Sequence, residues 1–478
     1  MGDEIPSSHF CKQDFEQFLQ RLNEESLLLR QWFEDDHFAD EWPRGGFELE
    51  AWLVDNECRP APLNKEFLQL SGNPLIVPEL ARFNVELNGD PQRLSGDALS
   101  IIEAELLETW RHSNTVAAQL EASLQMVGIL PTVREHELTL ANISATERFR
   151  ALNEQVFRQR KGRPLVLDIQ GIESLHTTHR DVMLEAAATS FQIHFQVAMK
   201  RAVRFYNAAQ ILSAPMVAVS ANSPYLFGRA LWEETRIPLF EQSVALESSE
   251  SVHHDDVVDR VSFGFGYARE SLFECFEENL THYPVLLPVE LGEVGDRLAY
   301  VRLHNGTIWR WNRPLIGFDE GGVPHLRIEH RVVPAGPTVI DGVANAAFFF
   351  GLVQAVGSSA TPPESLLAFE DCRHNFYSAA RYGLQSRPLW LHGKTVCMAA
   401  LLLEELLPLA KSGLEALQIS PSDISRYLGV IEQRVLRRQN GAVWQRAYVE
   451  QHHADMQQLA KGYLERQRSG EPVYAWTV

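Results

Sequence analysis

The sequence of 478 residues predicts an α+β protein in which an antiparallel sheet packs against helices. Two observations predict this class. Several segments before residue 335 alternate apolar and polar side chains, which is the period of a strand. After residue 340 the apolar residues recur at helical spacing, so the last third of the chain is predicted to be helical. No repeat or long linker interrupts the sequence, so we expect an α+β domain over 1–360 and a helical C-terminal region over 361–478 packed on the same body.

The individual elements follow from local patterns in chain order. The predicted elements are helices at 12–36, 96–126 and 196–212, a strand at 47–55, extended segments at 74–91, mixed strands and loops at 130–195, and a strand-rich stretch at 285–335. The strand signals of the last stretch are the segments VLLPVEL, YVRL, TIWRW and LRIEHRVV. Ser420 and Pro421 predict the start of a late helix, because a hydroxyl at the N-cap and a proline in the first turn favour helix initiation.

Composition and charge narrow the range of functions. The formal net charge is −20, which argues against nucleic acid or an anionic membrane surface as the main partner, because both require a basic surface. The five cysteines are scattered without a C-x-x-C pair, a pattern typical of reduced thiols in the cytosol. No secretory signal is visible, and the longest apolar stretches are typical of core helices. We therefore expect a soluble, cytoplasmic protein.

The stretch GGFELEAWLVD at 45–55 places two glutamates one residue apart in an apolar run. Successive side chains of a strand leave opposite faces of a sheet. The two faces are Phe47, Leu49, Ala51 and Leu53 on one side, and Glu48, Glu50, Trp52 and Val54 on the other. Both faces carry bulky apolar residues, so both are predicted to be buried. A buried carboxylate is costly unless a cation compensates its charge.

Three further segments show the same division into an apolar and a polar face: FNVELNG (83–89), SFQIHFQV (190–197) and HLRIEHRVV (325–333). Their predicted polar faces are Asn84, Glu86 and Asn88, then Gln192, His194 and Gln196, and then Arg327, Glu329 and Arg331. The apolar face of the first is Phe83, Val85 and Leu87. A solvated sheet face explains one such strand. Lysine is absent from all four segments, however, which favours a shared binding face.

The residue types on this face indicate the chemistry. Oxygen ligands with one histidine suit Mg²⁺ or Mn²⁺, and arginines suit phosphate held by two hydrogen bonds. The sequence contains no P-loop and no complete dinucleotide-binding glycine motif. A bound nucleotide would therefore have to be held by metal ions and arginines.

The order of these motifs resembles the glutamate–cysteine ligases, which belong to the glutamine synthetase-like superfamily of carboxylate–amine ligases. The motifs that carry the resemblance are GFELE, PELARFNVE, QIH and RIEHR, with SANSPYLFGR (220–229), HNGTIWRWNRPLIGFD (304–319), NFYSAARYGL (375–384) and NGAVWQ (440–445). The resemblance spans residues 45–450. It implies a curved antiparallel half-barrel sheet that forms a funnel for ATP and divalent metal ions.

The resemblance also implies roles for single residues. The implied ligands of one metal ion are Glu48, His194 and Glu329, and those of a second are Glu50, Glu79 and Glu86. Arg331 resembles the arginine that faces the transferred phosphoryl group. Further candidates are Arg236 and Arg313 for catalytic contacts to phosphate or a substrate carboxylate, and Arg310, Asn88 and Gln192 for binding the cofactor. Each of two residue pairs also has a structural alternative. Arg310 and Arg313 could stack between Trp309 and Trp311, and Glu329 and Arg331 could form a purely structural salt bridge.

The implied function is an ATP-dependent carboxylate–amine ligase, most specifically a glutamate–cysteine ligase. It would join L-glutamate to an amine such as L-cysteine through an acyl phosphate, with ATP and Mg²⁺ or Mn²⁺ as cofactors. One alternative keeps the chemistry but changes the amine. Another is a non-catalytic relative that binds nucleotide or amino acid for regulation. A homo-oligomer is left open.

Overall fold

The structure, a computed structural model, describes residues 4–5, 7–246, 259–292, 295–391 and 393–478. Its strands are, in chain order, β1 (Arg44–Val54), β2 (Ile76–Pro78), β3 (Asn84–Asn88), β4 (Gln92–Arg93), β5 (Ser123–Gln125), β6 (Leu165–Gln170), β7 (Ser174–His179), β8 (Phe191–Val197), β9 (Tyr225–Leu226), β10 (Arg229–Ala230), β11 (Val261–Ser262), β12 (Trp309–Arg310), β13 (Asn312–Phe318), β14 (Pro324–His330), β15 (Leu389–Trp390) and β16 (Lys394–Thr395).

Eight of these strands form the central antiparallel sheet, in the order β13-β14-β8-β1-β3-β2, with β4 and β5 also paired to β1. β1 is the longest strand and pairs with β8 on one side and β3 on the other. The register aligns Glu50 with Glu86, and Glu329 of β14 with His194 of β8. Since directly opposed residues point to the same face, these side chains are gathered on one face, as predicted.

Helices surround the sheet. They are α1 (Lys12–Glu34), α2 (Asn64–Ser71), α3 (Ala98–Gln119), α4 (Glu147–Gln159), α5 (Met199–Ser220), α6 (Arg236–Ser243), α7 (Phe273–His282), α8 (Ala299–Asn305), α9 (Val339–Gly357), α10 (Phe369–Tyr382), α11 (Met398–Leu401), α12 (Leu407–Ala416), α13 (Pro421–Leu436), α14 (Gly441–His452) and α15 (Met456–Ser469). The mixed α+β class and the helical C-terminal third are confirmed, and α13 begins at Pro421 as predicted.

The apolar face of the sheet packs against helices α5 and α9. Phe195 of β8 stacks on Phe205 of α5 with ring centroids 5.6 Å apart, and it contacts Phe350 of α9 at 6.1 Å. The same cluster of buried residues includes side chains of α10, α12 and α13, so the helical C-terminal region shares this core. The boundary between residues 360 and 361 stays a prediction.

Helix α9 is long and apolar enough to cross a membrane by length and composition alone, the one such helix in the described part of the chain. Nearly all of it is buried inside the protein, and Phe348, Phe349 and Phe350 all belong to the core. Core helices of this kind pass the same length and composition test, so the helix is accounted for by packing.

Both faces of β1 are buried, as its sequence predicts, but in two different cores. Phe47 and Leu49 belong to the core formed with α5 and α9, whereas Trp52 belongs to a second core. The predicted face of Phe83 is wrong: it stacks on Trp52, with centroids 5.4 Å apart, and not beside Val85. The reason is that Phe83 precedes β3, where the strict alternation has not yet begun.

Three local predictions are also wrong. VLLPVEL (285–291) forms no strand, although Leu286 and Leu287 are buried. YVRL lies in helix α8, and its buried residues Tyr300 and Val301 pack towards α1. The helix predicted over 96–126 ends at residue 119 and is followed by β5. Short apolar runs fit either a strand or a helix by pattern, and tertiary packing decides between them.

Candidate active site

Two sets of side chains that could hold a metal ion lie on the polar face of the sheet. The first carboxylate set is Glu48, His194 and Glu329, and the second carboxylate set is Glu50, Glu79 and Glu86. Within each set, one ligand atom of every residue lies within 4.8 Å of the others. The structure thus brings together the same six residues, in the same two groups of three, that the sequence motifs single out.

Strand alternation explains most of these positions. Glu48 and Glu50 are two residues apart on β1, so they point to the same face at adjacent positions. Glu79 is the exception, because it lies between β2 and β3 and not within a strand. The backbone N–H of Leu80 donates to Oε2 of Glu79 at 3.2 Å, and the hydroxyl of Ser144 donates to its backbone carbonyl. These bonds hold the side chain beside the sheet.

Positive side chains surround Glu329 in the first carboxylate set. Arg313 forms two hydrogen bonds to it, Nε to Oε2 at 2.8 Å and Nη2 to Oε1 at 3.0 Å, and Arg331 donates Nη1 to Oε2 at 3.0 Å. Burial opposes ionisation of Glu329, but Arg313, Arg331 and His194 outweigh it and hold the pKa of Glu329 well below its usual range. The carboxylate is therefore charged in the folded chain.

The carboxyl group of Glu48 is also ionised, because His194 lies beside it. Burial opposes its charge, yet His194, with Nε2 3.3 Å from Oε1 of Glu48, lowers the pKa of Glu48 to about 2. Nε2 of His194 also lies 3.9 Å from Oε1 of Glu329, the third member of the set. The first carboxylate set is thus negatively charged and partly neutralised by protein side chains.

The second carboxylate set is held mainly by neutral donors. Glu50 accepts hydrogen bonds from the backbone N–H of Ser190 at 2.7 Å, from the Ser190 hydroxyl at 3.0 Å and from Nε2 of Gln192 at 2.9 Å. Burial nevertheless raises the pKa of Glu50 above its ordinary value, with Arg331 acting in the opposite direction. Within the described ranges, neither Glu50 nor Glu79 forms an ion pair.

Mutual repulsion adds to burial in this set. Burial, followed by the charges of Glu50 and Glu86, raises the pKa of Glu79 well above its ordinary value. Burial and the charge of Glu48 raise the pKa of Glu86 to about 7, although Asn88 donates a hydrogen bond to it at 2.9 Å. Such a cluster is stable at neutral pH only when it is protonated or when a cation compensates it.

The donor atoms fit a divalent cation. Oε1 of Glu79 is buried and accepts no hydrogen bond from an N–H donor of the described chain. Two sets of oxygen-rich ligands with a single imidazole match the preference of Mg²⁺ and Mn²⁺. Zinc would favour more nitrogen or sulfur ligands, and none of the five cysteines belongs to either set.

Arg331 and Gln192 lie between the two sets. Nη1 of Arg331 donates to Oε1 of Gln192 as well as to Glu329, and Gln192 in turn donates to Glu50. Arg331 lines the cavity over the sheet, and its Nε is buried and donates to no group of the described chain. A buried, unsatisfied guanidinium donor at this place can bind a phosphoryl or carboxylate oxygen.

The cavity over the polar face is called the funnel. Its lining includes Glu48, Glu50, Glu79, Gln192, Arg313, Glu329 and Arg331. Part of the wall of the cavity is apolar, with Leu80, Phe149, Leu152 and Val182. A few polar groups converging in a partly apolar cavity are typical of a small-molecule site.

The structure does not bring all predicted site residues into the funnel. Arg310 donates to Glu278 at 2.9 Å and to Asn279, and it is absent from the lining. Its guanidinium lies 5.6 Å from the ring of Tyr283, so the predicted stacking between Trp309 and Trp311 is not observed. The strand β12 simply turns this side chain away from the cavity.

Arg236 lies behind the funnel and not on its surface. It pairs with Glu234 at 3.2 Å, donates to the carbonyl of Val332 at 2.6 Å and packs over Trp311. Arg313 does line the funnel, but its guanidinium is occupied by Glu329. Asn88 contacts the second carboxylate set through Glu86.

The predicted set misses several residues that line the funnel, among them Arg327 and Glu185. Arg327, which follows the alternation of β14, lines the cavity, and its Nε is buried and donates to no described group. Its position on the polar face was visible in the sequence. Glu185 also lines the cavity, but it comes from the short 3₁₀ helix Met183–Ala187, and no strand pattern marks it.

The curled antiparallel sheet with a polar funnel places the protein in the glutamine synthetase-like fold class. The family model of glutamate–cysteine ligase family 2 (GCS2) matches residues 44–469, so the chain belongs to that family.

Two solved structures have a fold similar to that of this chain. Glutamate–cysteine ligase from Francisella tularensis, in complex with AMP, is similar with a TM-score of 0.55 at 12% identity, covering 92% of this chain and 90% of that one. A bifunctional glutathione synthetase from Pasteurella multocida is similar with a TM-score of 0.51 at 11% identity. The match covers 93% of this chain but 55% of that protein. No curated protein sequence matches the chain.

Proposed function

We propose that this protein is an ATP-dependent carboxylate–amine ligase, and most specifically a glutamate–cysteine ligase that forms a γ-glutamyl amide through an acyl phosphate. The observation that carries the proposal is the arrangement of two carboxylate sets on one sheet face with Arg331 between them. Membership of the glutamate–cysteine ligase family supports the reaction class. The AMP-bound relative from Francisella tularensis supports a nucleotide in the funnel.

The six residues of the two carboxylate sets would hold two Mg²⁺ or Mn²⁺ ions. When bound, such ions neutralise the triphosphate and allow a carboxylate to approach it. Arg313 does not contact substrate in this proposal, because both of its bonds go to Glu329. It is a positioning residue that fixes the Glu329 carboxylate.

Arg331 acts on the transferred group. Its Nε has no acceptor in the described chain, and the residue faces the funnel. We assign this donor to the γ-phosphoryl oxygens, where it stabilises negative charge as the substrate carboxylate attacks phosphorus and ADP leaves. Arg327, at the same cavity surface, is the candidate for a second contact to phosphate or to the α-carboxylate of the substrate.

The second half of the reaction forms the amide. The uncharged amine nitrogen attacks the acyl carbon and the tetrahedral intermediate collapses. Inorganic phosphate leaves with the oxygen that joined carbon to phosphorus and takes up the proton that the nitrogen loses. The apolar wall of the funnel, which includes Leu80 and Val182, limits access of water to the acyl phosphate. No protein nucleophile is required.

The choice of L-cysteine as the amine rests on family membership. A different amine is therefore the second candidate. A non-catalytic nucleotide-binding relative is disfavoured, because it would have no use for two intact carboxylate sets whose burial is costly. A cytoplasmic location and a homo-oligomer stay predictions.

The test is turnover with purified protein, ATP, Mg²⁺, L-glutamate and a panel of amines, followed by phosphate release and product mass. We expect release that requires both glutamate and an amine, with the largest rate for L-cysteine. Arg331→Gln should abolish it, whereas Glu277→Gln, which removes a surface ion pair with Arg30, should not. Absence of product with every amine would overturn the ligase assignment.

A further inference from the structure

Two carboxyl groups in the described lining of the funnel belong to neither carboxylate set, Glu4 and Glu185. Glu4 is exposed and accepts hydrogen bonds from the backbone N–H groups of Ile5 and Arg148. Glu185 lines the cavity together with Glu50 and Arg331, and its side chain is half-buried. Among the residues that the structure describes, its carboxyl group takes part in no hydrogen bond and no ion pair. A carboxyl group that is held inside a cavity without a partner points to a cationic ligand.

The position of Glu185 is fixed by its surroundings. The backbone N–H of Val182 donates to Oδ1 of Asn153 in α4 at 3.1 Å, which ties the segment to that helix. Met183 and Leu184 are fully buried in the second core. The carboxyl group therefore cannot leave the cavity for solvent by a simple shift of a loose loop.

The electrostatics of the cavity disfavour a charged Glu185 when nothing is bound. Burial, and after it the charge of Glu50, raises the pKa of Glu185 to about 8, while Arg331 acts in the opposite direction. An ionised carboxylate at this place needs a compensating positive charge. The two groups of close metal-ligand atoms do not include Glu185, so its carboxyl group is not a ligand at either metal position proposed above and is left for a different cationic group.

The neighbouring wall indicates what kind of cation fits. Leu80, Phe149, Leu152 and Val182 line the same cavity and offer no charge. An ammonium group on Glu185, with a short apolar or thiol-bearing side chain against this wall, would satisfy both features. A hydrated metal ion would gain nothing from the apolar surface.

We propose that Glu185 binds the ammonium group of the incoming amine substrate, takes one proton from it, and holds the resulting uncharged amine beside the carboxyl group that is activated at Arg331. This inference rests on the proposed ligase function and deepens it, because it assigns the amine subsite to the wall formed by α4 and the segment before β8. The assigned substrate class is a primary amine with a short apolar or thiol side chain.

The first experiment compares two nucleophiles in the wild type and in Glu185→Gln at pH 8. L-cysteine carries an ammonium group, whereas hydroxylamine is uncharged at this pH and forms a hydroxamate without that contact. We expect the KM for L-cysteine to rise at least about ten-fold, because a charged hydrogen bond is lost. The KM for ATP and the rate of hydroxamate formation should change less than about two-fold.

The matched control is Glu4→Gln, which removes one negative charge from the mouth of the same cavity. It should leave the KM for L-cysteine unchanged. An equal loss of both nucleophiles in Glu185→Gln would place Glu185 in the activation step and overturn the inference. An unchanged KM for L-cysteine would also overturn it.

A second measurement does not depend on turnover. Calorimetry should follow the binding of L-2-aminobutyrate, a thiol-free analogue, to protein holding Mg²⁺ and a non-hydrolysable ATP analogue. Binding at least about ten-fold weaker in Glu185→Gln than in Glu4→Gln supports the amine subsite even if no product forms. Equal affinity in the two variants overturns it, whether or not the ligase assignment holds.

Discussion

The two carboxylate sets share one face of one sheet but differ in what balances their charge. Glu329 in the first set receives three hydrogen bonds from two arginines, and its pKa lies well below the usual range. In the second set Glu50 is bound by neutral donors, and the pKa of Glu79 is raised well above its ordinary value. The protein alone therefore stabilises the first set, whereas the second requires protons or an added cation.

The largest expected effect follows from breaking the balanced set. Glu329→Gln leaves Arg313 and Arg331 buried without their carboxylate, so the free energy of unfolding should fall by about 3–5 kcal/mol. Turnover should fall at least about 10³-fold, because Arg331 is no longer held towards the phosphoryl group. Urea denaturation and a phosphate-release assay measure the two effects.

The control for this variant is Glu277→Gln on the surface. The Arg30–Glu277 pair has an N–O distance of 2.6 Å, and both side chains are about half exposed. Its loss should change the free energy of unfolding by less than about 1 kcal/mol. A similar destabilisation in the two variants would contradict the claim that Glu329 holds a buried charge network.

Adding metal should stabilise the protein mainly through the second set. At a Mg²⁺ concentration one hundred times the dissociation constant, the free energy of unfolding should rise by roughly 2.7 kcal/mol, and EDTA should reverse the gain. In Glu79→Gln the gain should be largely lost, because one oxygen ligand of the second set is gone. An undiminished gain in that variant would show that Mg²⁺ binds elsewhere.

In the absence of metal, Glu79→Gln should stabilise the folded protein. Glu79 has a raised pKa in the folded chain, so its ionisation at pH 8 costs stability that a neutral glutamine avoids. Glu79→Gln should therefore raise the free energy of unfolding without metal by about 1–2 kcal/mol, while turnover is lost. Destabilisation of the metal-free variant would contradict the claim that the protein alone does not balance the charge of the second carboxylate set.

The smallest expected effect concerns a half-buried carboxyl group outside both sets, that of Glu241. Oε1 of Glu241 accepts hydrogen bonds from Nε1 of Trp311 at 2.9 Å and from the Tyr377 hydroxyl at 2.7 Å, and burial raises the pKa of Glu241 to about 7. The folded chain binds this proton more tightly than the unfolded chain. Its stabilising contribution is therefore complete in acid and is lost as pH rises through about 7.

Glu241→Gln keeps an oxygen acceptor for both donors but cannot ionise. Its stability relative to wild type should increase between pH 5 and pH 8 by roughly 1–2 kcal/mol. Thermal unfolding across this pH range measures the change, with no dependence on Mg²⁺. A difference that does not vary with pH would show that Glu241 stays protonated or is compensated by another group.

Most of the candidate site could be predicted because its residues follow strand alternation. Glu48, Glu50 and His194 each have apolar neighbours on both sides, and Glu329 follows the apolar Ile328, so strand alternation placed them on one face. Glu79 needed the family resemblance, since it lies outside a strand. Local pattern therefore located the floor of the funnel.

The rest depends on contacts between residues that are distant in sequence. Arg310 and Arg313 lie three residues apart in one motif, yet of the two only Arg313 lines the funnel. Arg310 instead donates a hydrogen bond to Glu278 of helix α7. Glu185 enters from a 3₁₀ helix whose sequence carries no periodic signal. The direction of such side chains is decided by tertiary packing, which a single sequence does not reveal.

The burial of β1 on both faces has a consequence for how the gene can vary. A slip of one residue would exchange the faces, sending Leu49 into the funnel and Glu50 into the core. The strand is pinned near both ends, where Gly45 leaves room for the ring of Phe350 and Trp52 stacks on Phe83. Insertions and deletions within 45–54 should therefore be tolerated nowhere, whereas the loops at the funnel mouth are free to diverge in length.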